Sequence, residues 1–143
     1  MVILDTECLT LLQRAEGEAN TRLLARLRLV GQTRPVVVTV ITIEEQLRGW
    51  LARIAKQKSA ERQVEGYARL LELIHNLAPR RILPFDQAAA LQFEGLRNQV
   101  RIGTMDLKIA AIVLARGATL VSRNLRDFSR VPGLLVEDWT VDR

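Results

Sequence analysis

The sequence predicts an α/β protein: one three-layer α/β/α domain over residues 1–143, with a mostly parallel sheet of about five strands. Short β-branched runs alternate along the chain with segments whose apolar residues recur at helical spacing. The run Val36 to Ile41 has no polar face, which is typical of a strand buried on both sides of a parallel sheet. A chain of 143 residues is the size of one domain, and it contains no internal repeat, low-complexity tract or linker.

The first forty residues are predicted to form strand, helix, helix and strand. Val2 to Leu4 is a short apolar strand, and Asp5 begins a helix. A second helix follows, and Gly31 ends it as a C-terminal signal. Pro35 then precedes the strand Val36 to Ile41. This order brings the first two strands side by side in the sheet.

The middle of the chain is predicted to hold two long helices, a strand and a third helix. Thr42 is the expected N-cap of one helix, and Ser59 starts the next. Along the second helix, apolar side chains keep the 3.6-residue period and predict a core-facing side at Val64, Tyr67, Leu71, Ile74 and Ala78. Arg81 to Pro84 forms the third strand, and Asp86 caps the helix that follows.

The last forty residues complete the alternation. Residues 104–116 form a strongly apolar helix that Gly117 ends. The strand Ala118 to Val121 follows directly, and a final strand lies around Leu134 to Val136. Trp50, Tyr67, Phe93 and Phe128 are predicted to be core residues rather than a base-stacking surface, since aromatic residues make up only 4% of the chain.

Composition favours a polyanionic partner in a reducing compartment. The net charge is +5 and the sequence pI is about 10.3, values that favour nucleic acid. Cys8 is the single cysteine, so no disulfide can form within the chain. With no signal peptide and no stretch long enough to span a membrane, we expect a cytoplasmic protein.

Acidic residues recur where predicted strands hand over to helices. Asp5 follows the first strand, Glu45 follows the second, and Asn124 and Asp127 follow the strand that ends at Val121. Asp106 opens the helix before that strand. Since ligands bind at the carboxyl edge of such a sheet, these side chains should meet there. Clustered carboxylates repel unless a cation joins them, and Mg²⁺ prefers oxygen ligands, so the pattern predicts a divalent metal site.

Each acid also has a purely structural explanation. Asp5 fits a helix N-cap, and Asp106 suits the positive end of a helix dipole. Thr42 and Glu45 match a capping box, in which the glutamate reaches back to the threonine backbone. Asp127 could cap the turn before the last strand. Serine or asparagine would cap equally well, however, so the repeated choice of carboxylates favours the metal site.

Other chemistry finds little support in the sequence. With His75 and Cys8 as the single histidine and cysteine, a zinc site of the usual Cys/His kind is excluded. A Ser-His-Asp triad would require His75 to lie near the acids, and no Gly-Lys-Ser/Thr phosphate loop is present. Arginines near the acidic segments are candidates for gripping RNA phosphates: Arg48, Arg97, Arg101, Arg123 and Arg126.

Together these segments resemble the PIN-domain ribonucleases, especially the VapC-type toxins of bacterial toxin–antitoxin pairs. The resemblance runs along the whole chain. It rests on Leu4-Asp5-Thr6, on Thr42-x-x-Glu45-x-x-x-Gly49, on Asp106 with Ala110-Ala111, and on the stretch from Ser122 to Phe128. Val131 to Leu134 and Asp138-Trp139 match the tail of such toxins.

The resemblance implies a cytoplasmic, Mg²⁺- or Mn²⁺-dependent endoribonuclease with an RNA substrate, a cognate antitoxin and a homodimeric state. The acids of the family's metal site fall on Asp5, Glu45 and Asp106, with Asn124 or Asp127 completing it. Thr6 and Ser122 match small hydroxyl positions that support the site. Asn124 departs from the family pattern, since many relatives carry aspartate there, and it offers an oxygen without a charge.

Two other functions compete with this one. A catalytically idle PIN-like domain would keep the acids and serve only as a binding or scaffold module. A phospho-acceptor receiver domain also places aspartates with Mg²⁺ at strand ends, but it needs an acidic pair at the first strand and a lysine at the last. Here Asp5 stands alone after the first strand and Lys108 lies in a helix.

Overall fold

In the computed structural model, which describes residues 1–142, five strands form one sheet in the order β3-β2-β1-β4-β5. Every neighbouring pair is parallel. The strands are β1 (Val2–Leu4), β2 (Val36–Thr39), β3 (Ile82–Leu83), β4 (Thr119–Val121) and β5 (Leu135–Glu137). Because β1, β2 and β4 are central neighbours, the segments that follow them meet at one edge. The predicted fold class is confirmed.

Seven helices within the described residues connect and cover the strands, as parallel neighbours require. Their bounds are α1 (Thr6–Arg14), α2 (Gly17–Val30), α3 (Val40–Lys56), α4 (Ala60–Leu77), α5 (Gln87–Leu96), α6 (Thr104–Arg116) and α7 (Leu125–Phe128). Ser59 and Asp86 accept backbone hydrogen bonds as N-caps, at the helix starts that the sequence predicted. Gly117 ends α6 in the left-handed conformation that glycine adopts without strain. No helix within residues 1–142 could cross a membrane.

Alternate strand residues face opposite sides of the sheet and build two cores. Ile3 and Leu120 point to the side covered by α5 and α6. Val2, Leu4 and Val121 point to the other side, where they pack with residues of α1, α2 and α4. Since all five are fully buried, both faces of the central strands exclude water, which explains their continuous apolar sequence.

The junction between β2 and α3 lies three residues earlier than predicted. The strand ends at Thr39, and the helix begins at Val40. Thr39, not Thr42, is the N-cap: its backbone is extended and its hydroxyl accepts from Thr42 N at 3.1 Å. Ile41 packs into the core from the first turn, so tertiary burial outweighs the β preference of these branched residues.

The predicted core face of α4 is wrong. Val64, Tyr67, Leu71 and Ile74, which we call the α4 stripe, are between 49% and 64% exposed. The helix instead buries Leu73 and Leu77 against the sheet. Among the predicted core aromatics, Tyr67 is therefore a surface residue, Phe128 is fully buried, and Trp50 and Phe93 pack partly buried against the two cores.

Candidate active site at the carboxyl edge of the sheet

Asp5 is fixed where β1 ends and α1 begins. Its backbone N–H donates to Val121 O at 3.1 Å, which continues the ladder between β1 and β4. One carboxylate oxygen caps α1 by accepting from Cys8 N at 2.7 Å, and the other accepts from the Ser122 hydroxyl. Only 5% of the residue is exposed. Asp5 is therefore the N-cap of α1, as the structural explanation of this residue predicted. It also lies at the carboxyl edge of the sheet.

Asn124 joins two other predicted site residues. Its side-chain nitrogen donates to Asp106 Oδ2 at 3.3 Å and to Asp127 Oδ2 at 3.1 Å. Its side-chain oxygen accepts from Asp127 N at 3.4 Å as the N-cap of α7. Asn124 N in turn donates to the Ser122 hydroxyl at 2.9 Å. In this arrangement the amide bridges the two carboxylates as a donor, and its oxygen serves the backbone.

Glu45 is held by α1 and makes no capping box. Its Oε1 accepts from the Thr6 hydroxyl at 2.6 Å. Because α3 begins at Val40, Glu45 lies in the second turn of the helix and Thr42 is buried inside the first. The capping-box interpretation of Thr42 and Glu45 is therefore wrong, since the residue three positions after the true N-cap is Thr42.

Asp5, Glu45 and Asn124 line one open cavity of about 390 Å³, whereas Ser122 lies outside its walls. Its walls contain four predicted ligand residues, one predicted supporting hydroxyl, one predicted phosphate-binding arginine and four residues that were not predicted. The lining residues are Asp5, Thr6, Glu7, Thr10, Leu11, Arg14, Glu45, Asp106, Arg123 and Asn124. Asp127 is not among them, although it contacts Asn124. Helical spacing from Thr6 would have pointed to Thr10 and Arg14, which lie four and eight residues further along α1.

Burial and mutual repulsion act on the acids. Burial raises the pKa of the Asp5 carboxyl above its ordinary value, against the opposing hydrogen bonds from Ser122 and Cys8. Burial also raises the pKa of Asp106, helped by the negative charges of Glu45 and Asp127, while the Asn124 hydrogen bond opposes the rise. The cavity therefore holds negative charge that its hydrogen bonds leave partly uncompensated.

The carboxylate oxygens of the cavity are of the type that binds a hard cation, although they are not arranged as a metal coordination site. Within residues 1–142, no group of three or more His, Cys, Asp or Glu side chains is arranged to hold a metal ion. The cavity nevertheless presents carboxylate oxygens from Asp5, Glu45 and Asp106, the ligand type that Mg²⁺ and Mn²⁺ take. A bound cation would relieve the repulsion that raises the pKa of Asp106.

The five predicted phosphate-binding arginines have different surroundings. Arg123 alone of them lines the cavity, where it pairs with Glu7 at 3.2 Å. Arg48 pairs with Glu44 at 2.6 Å, and Arg97 pairs with Glu94 at 3.2 Å. Arg101 and Arg126 lie outside the cavity walls. Contact with RNA remains a prediction for all five.

The raised pKa of Asp106 predicts how metal-free stability depends on pH. A group whose pKa is higher in the folded state stabilises the fold at low pH, and that contribution is lost as the pH rises through the folded pKa. In EDTA, wild type should therefore lose stability relative to Asp106→Asn as the pH rises above 3.8, the ordinary pKa of an aspartate. Urea unfolding of both proteins across the pH range measures this difference. A difference that does not change with pH would contradict the prediction.

The amino-acid sequence is similar to those of known proteins. The PIN domain family matches residues 2–134. The chain is 30% identical over 112 residues to the tRNA(fMet)-specific endonuclease VapC of Salmonella typhimurium, covering 75% of this chain and 77% of that protein. It is 27% identical over 113 residues to ribonuclease VapC2 of Rickettsia felis, covering 79% and 81% respectively.

The fold is similar to solved structures as well. DNA-bound VapBC from Salmonella typhimurium superposes with a TM-score of 0.71 and 25% identity, covering 96% of this chain and 97% of the other. VapBC2 from Rickettsia felis, bound to a DNA fragment from its promoter, gives a TM-score of 0.70 with 24% identity over 97% and 99% of the two chains. Every residue that lines the acidic cavity lies inside the matched PIN domain segment.

Proposed function

The chain belongs to the PIN domain family, among its VapC-type ribonucleases, and on this basis we propose that it is a metal-dependent endoribonuclease acting as the toxin of a toxin–antitoxin pair. The observation that carries the proposal is that Asp5, Glu45, Asp106 and Asn124 line the same cavity at the carboxyl edge of the sheet. The PIN domain match over residues 2–134 argues against a phospho-acceptor receiver domain, which belongs to a different family.

The acids have distinct parts in this proposal. Asp5, Glu45 and Asp106 would hold Mg²⁺ or Mn²⁺, with Asn124 or Asp127 completing the set. When bound, such an ion lowers the pKa of a water molecule and stabilises charge on phosphate oxygens. Thr6 fixes Glu45, and Ser122 fixes Asp5, so both hydroxyls are positioning groups. Use of Asn124 as an oxygen ligand would require its amide to turn away from the α7 cap.

Hydrolysis requires a proton to leave the attacking water and another to reach the departing oxygen. The water oxygen forms a bond to phosphorus while the bond to one ribose oxygen breaks. Glu45 Oε2 and Asp106 Oδ1 make no hydrogen bond within the described chain, so each can accept a proton from water. We assign the departing oxygen's proton to solvent, since the cavity is open.

The rest of the molecule suits an RNA substrate in the cytoplasm. The net charge of +5 attracts a polyanion although the cavity itself is acidic. The one cysteine, Cys8, is buried and free, which suits a reducing compartment. With aromatic residues at only 4%, binding should depend on phosphates rather than on stacked bases.

Protein partners are part of the proposal. The similar solved structures include VapBC complexes, and we propose a cognate antitoxin and a homodimer for this chain too. The α4 stripe supports this, because contiguous exposed apolar side chains mark protein contact sites. One PIN domain, residues 1–143, would carry both the site and these contacts.

Metal-dependent cleavage tests the proposed function directly. Purified protein, free of antitoxin, is incubated with mixed RNAs in the presence of Mg²⁺, Mn²⁺ or EDTA. The RNAs include tRNA(fMet), the substrate named for the Salmonella relative. We expect cuts within the RNA chain that require the metal ion and that the Asp5→Asn substitution abolishes. Asparagine removes a negatively charged metal ligand but keeps a side-chain oxygen that can cap α1. RNA binding without any cleavage under all conditions would instead support the catalytically idle module.

A further inference from the structure

We propose that Arg14, at the end of α1, binds a backbone phosphate that flanks the scissile one and so extends the substrate site along this helix. The inference rests on the proposed function, because it takes the cavity to be the place where RNA is cut. Arg14 lines that cavity, although sequence reasoning did not identify it.

The distance from the acids follows from helix geometry. Thr6, Thr10 and Arg14 lie four residues apart on one face of α1, and all three line the cavity. With a rise of 1.5 Å per residue, the backbone of Arg14 lies about 12 Å along the helix axis from that of Thr6. Thr6 contacts Glu45, so it marks the acidic end. A cation this far along the wall suits a neighbouring phosphate rather than the reacting one.

Partly buried hydrogen bonds fix this face of α1 against α3. The Gln46 amide donates to Gln13 Oε1 at 2.8 Å and to the Thr10 hydroxyl at 3.1 Å. Gln13 returns a hydrogen bond to Gln46 Oε1 at 3.2 Å, and the Thr10 hydroxyl donates to Thr6 O at 2.8 Å. The Thr10 hydroxyl therefore already has hydrogen-bond partners within the protein. On this face of α1, Arg14 is the residue whose side chain can bind a ligand.

The charges of the cavity distinguish Arg14 from the other arginine in its walls. Arg123 is paired with Glu7 at 3.2 Å, so its charge is partly neutralised. Within residues 1–142 no carboxylate pairs with Arg14, whose side chain is exposed to solvent. A guanidinium offers two parallel hydrogen bonds to phosphate oxygens. A single-stranded RNA lying along α1 would then meet acids at one end of the cavity and a free cation at the other.

Salt-dependent binding in a cleavage-deficient background tests this. Anisotropy of a fluorescent single-stranded RNA is measured with Asp106→Asn and with the double variant Asp106→Asn, Arg14→Gln. Loss of one phosphate contact should weaken binding about tenfold at low salt. It should also reduce the slope of log affinity against log salt by about 0.7. Arg62→Gln is the matched control, since Arg62 is an exposed, unpaired arginine of the described chain on α4; it should leave the slope unchanged.

Kinetics on two substrates separates binding from helix stability. On a longer RNA, Arg14→Gln in otherwise wild-type protein should raise KM with little change in kcat, and Arg14→Lys should restore part of the loss. On a dinucleotide with only the scissile phosphate, Arg14→Gln and wild type should be equal. An unchanged salt slope, or a lowered melting temperature with unchanged slope and KM, overturns the inference while the proposed function stands. Failure of the proposed function would appear differently, as a wild-type protein with no metal-dependent cleavage.

Discussion

Asp106→Asn is expected to abolish RNA cleavage while RNA binding is kept or strengthened. Asp106 lines the cavity from the first turn of α6, and Asn124 donates to its carboxylate at 3.3 Å. In our proposal Asp106 is a metal ligand, and its replacement by asparagine removes one negative charge from the metal site. Since mutation of outer-shell partners alone costs about 10- to 100-fold in metal affinity or activity, loss of a direct ligand should cost more. The same change removes repulsion of RNA phosphates, so affinity should not fall.

Cleavage rate and RNA affinity must be measured on the same preparation, with circular dichroism to establish that the variant is folded. Glu72→Gln is a suitable control, because it removes one carboxylate from an exposed ion pair with Arg69 on α4. It should leave cleavage unchanged. An Asp106→Asn protein that cuts RNA at the wild-type rate would remove Asp106 from the mechanism, and a binding loss as large as the cleavage loss would mean that the two are not separable.

Phe128→Ala is expected to destabilise the fold by about 3–5 kcal/mol. Phe128 is fully buried and is one of the largest side chains with no exposure to solvent. It ends α7, the short helix that follows Asn124 and contains Asp127, and it belongs to the core on the α5 and α6 side of the sheet. The substitution would leave a cavity beneath the segment that holds Asn124 against Asp106.

Urea unfolding monitored by far-ultraviolet circular dichroism gives the free energy of unfolding for this comparison. Leu125→Ala, on the same helix but 40% exposed, is the matched control and should cost less than about 1.5 kcal/mol. If Phe128→Ala cost no more than Leu125→Ala, α7 would not be anchored by this side chain. Metal-dependent cleavage by folded Phe128→Ala protein should also fall, because the position of Asn124 depends on α7.

The alternation of strands and helices, and the acidic residues at one edge of the sheet, could be predicted from the sequence. Strand residues Ile3, Val38 and Leu120 reveal themselves because strands buried on both faces carry apolar side chains throughout. Ser59, Asp86 and Gly117 mark helix ends through local hydrogen bonding and backbone conformation, which involve only neighbouring residues. Asp5 and Asp106 stood out because they occur at strand and helix termini. The resemblance to the PIN-domain ribonucleases pointed to the same two aspartates as metal-site residues.

The contacts between distant side chains depend on the packing of the whole fold and could not be predicted from the sequence. Thr6 contacts Glu45 across 39 residues and Ser122 contacts Asp5 across 117, separations that no local pattern encodes. The period of α4 fitted two apolar rows, and contact with the sheet selected Leu73 and Leu77 over the α4 stripe.

The same reason explains the other residues that the sequence did not determine. Thr39 replaced Thr42 as a cap because Ile41 packs into the core. Asn124 became a bridge between carboxylates, and Arg14 entered the cavity wall, because of where α6, α7 and α1 lie in three dimensions. Local chemistry fixes where elements begin and end, whereas the choice of face and partner depends on packing between distant segments.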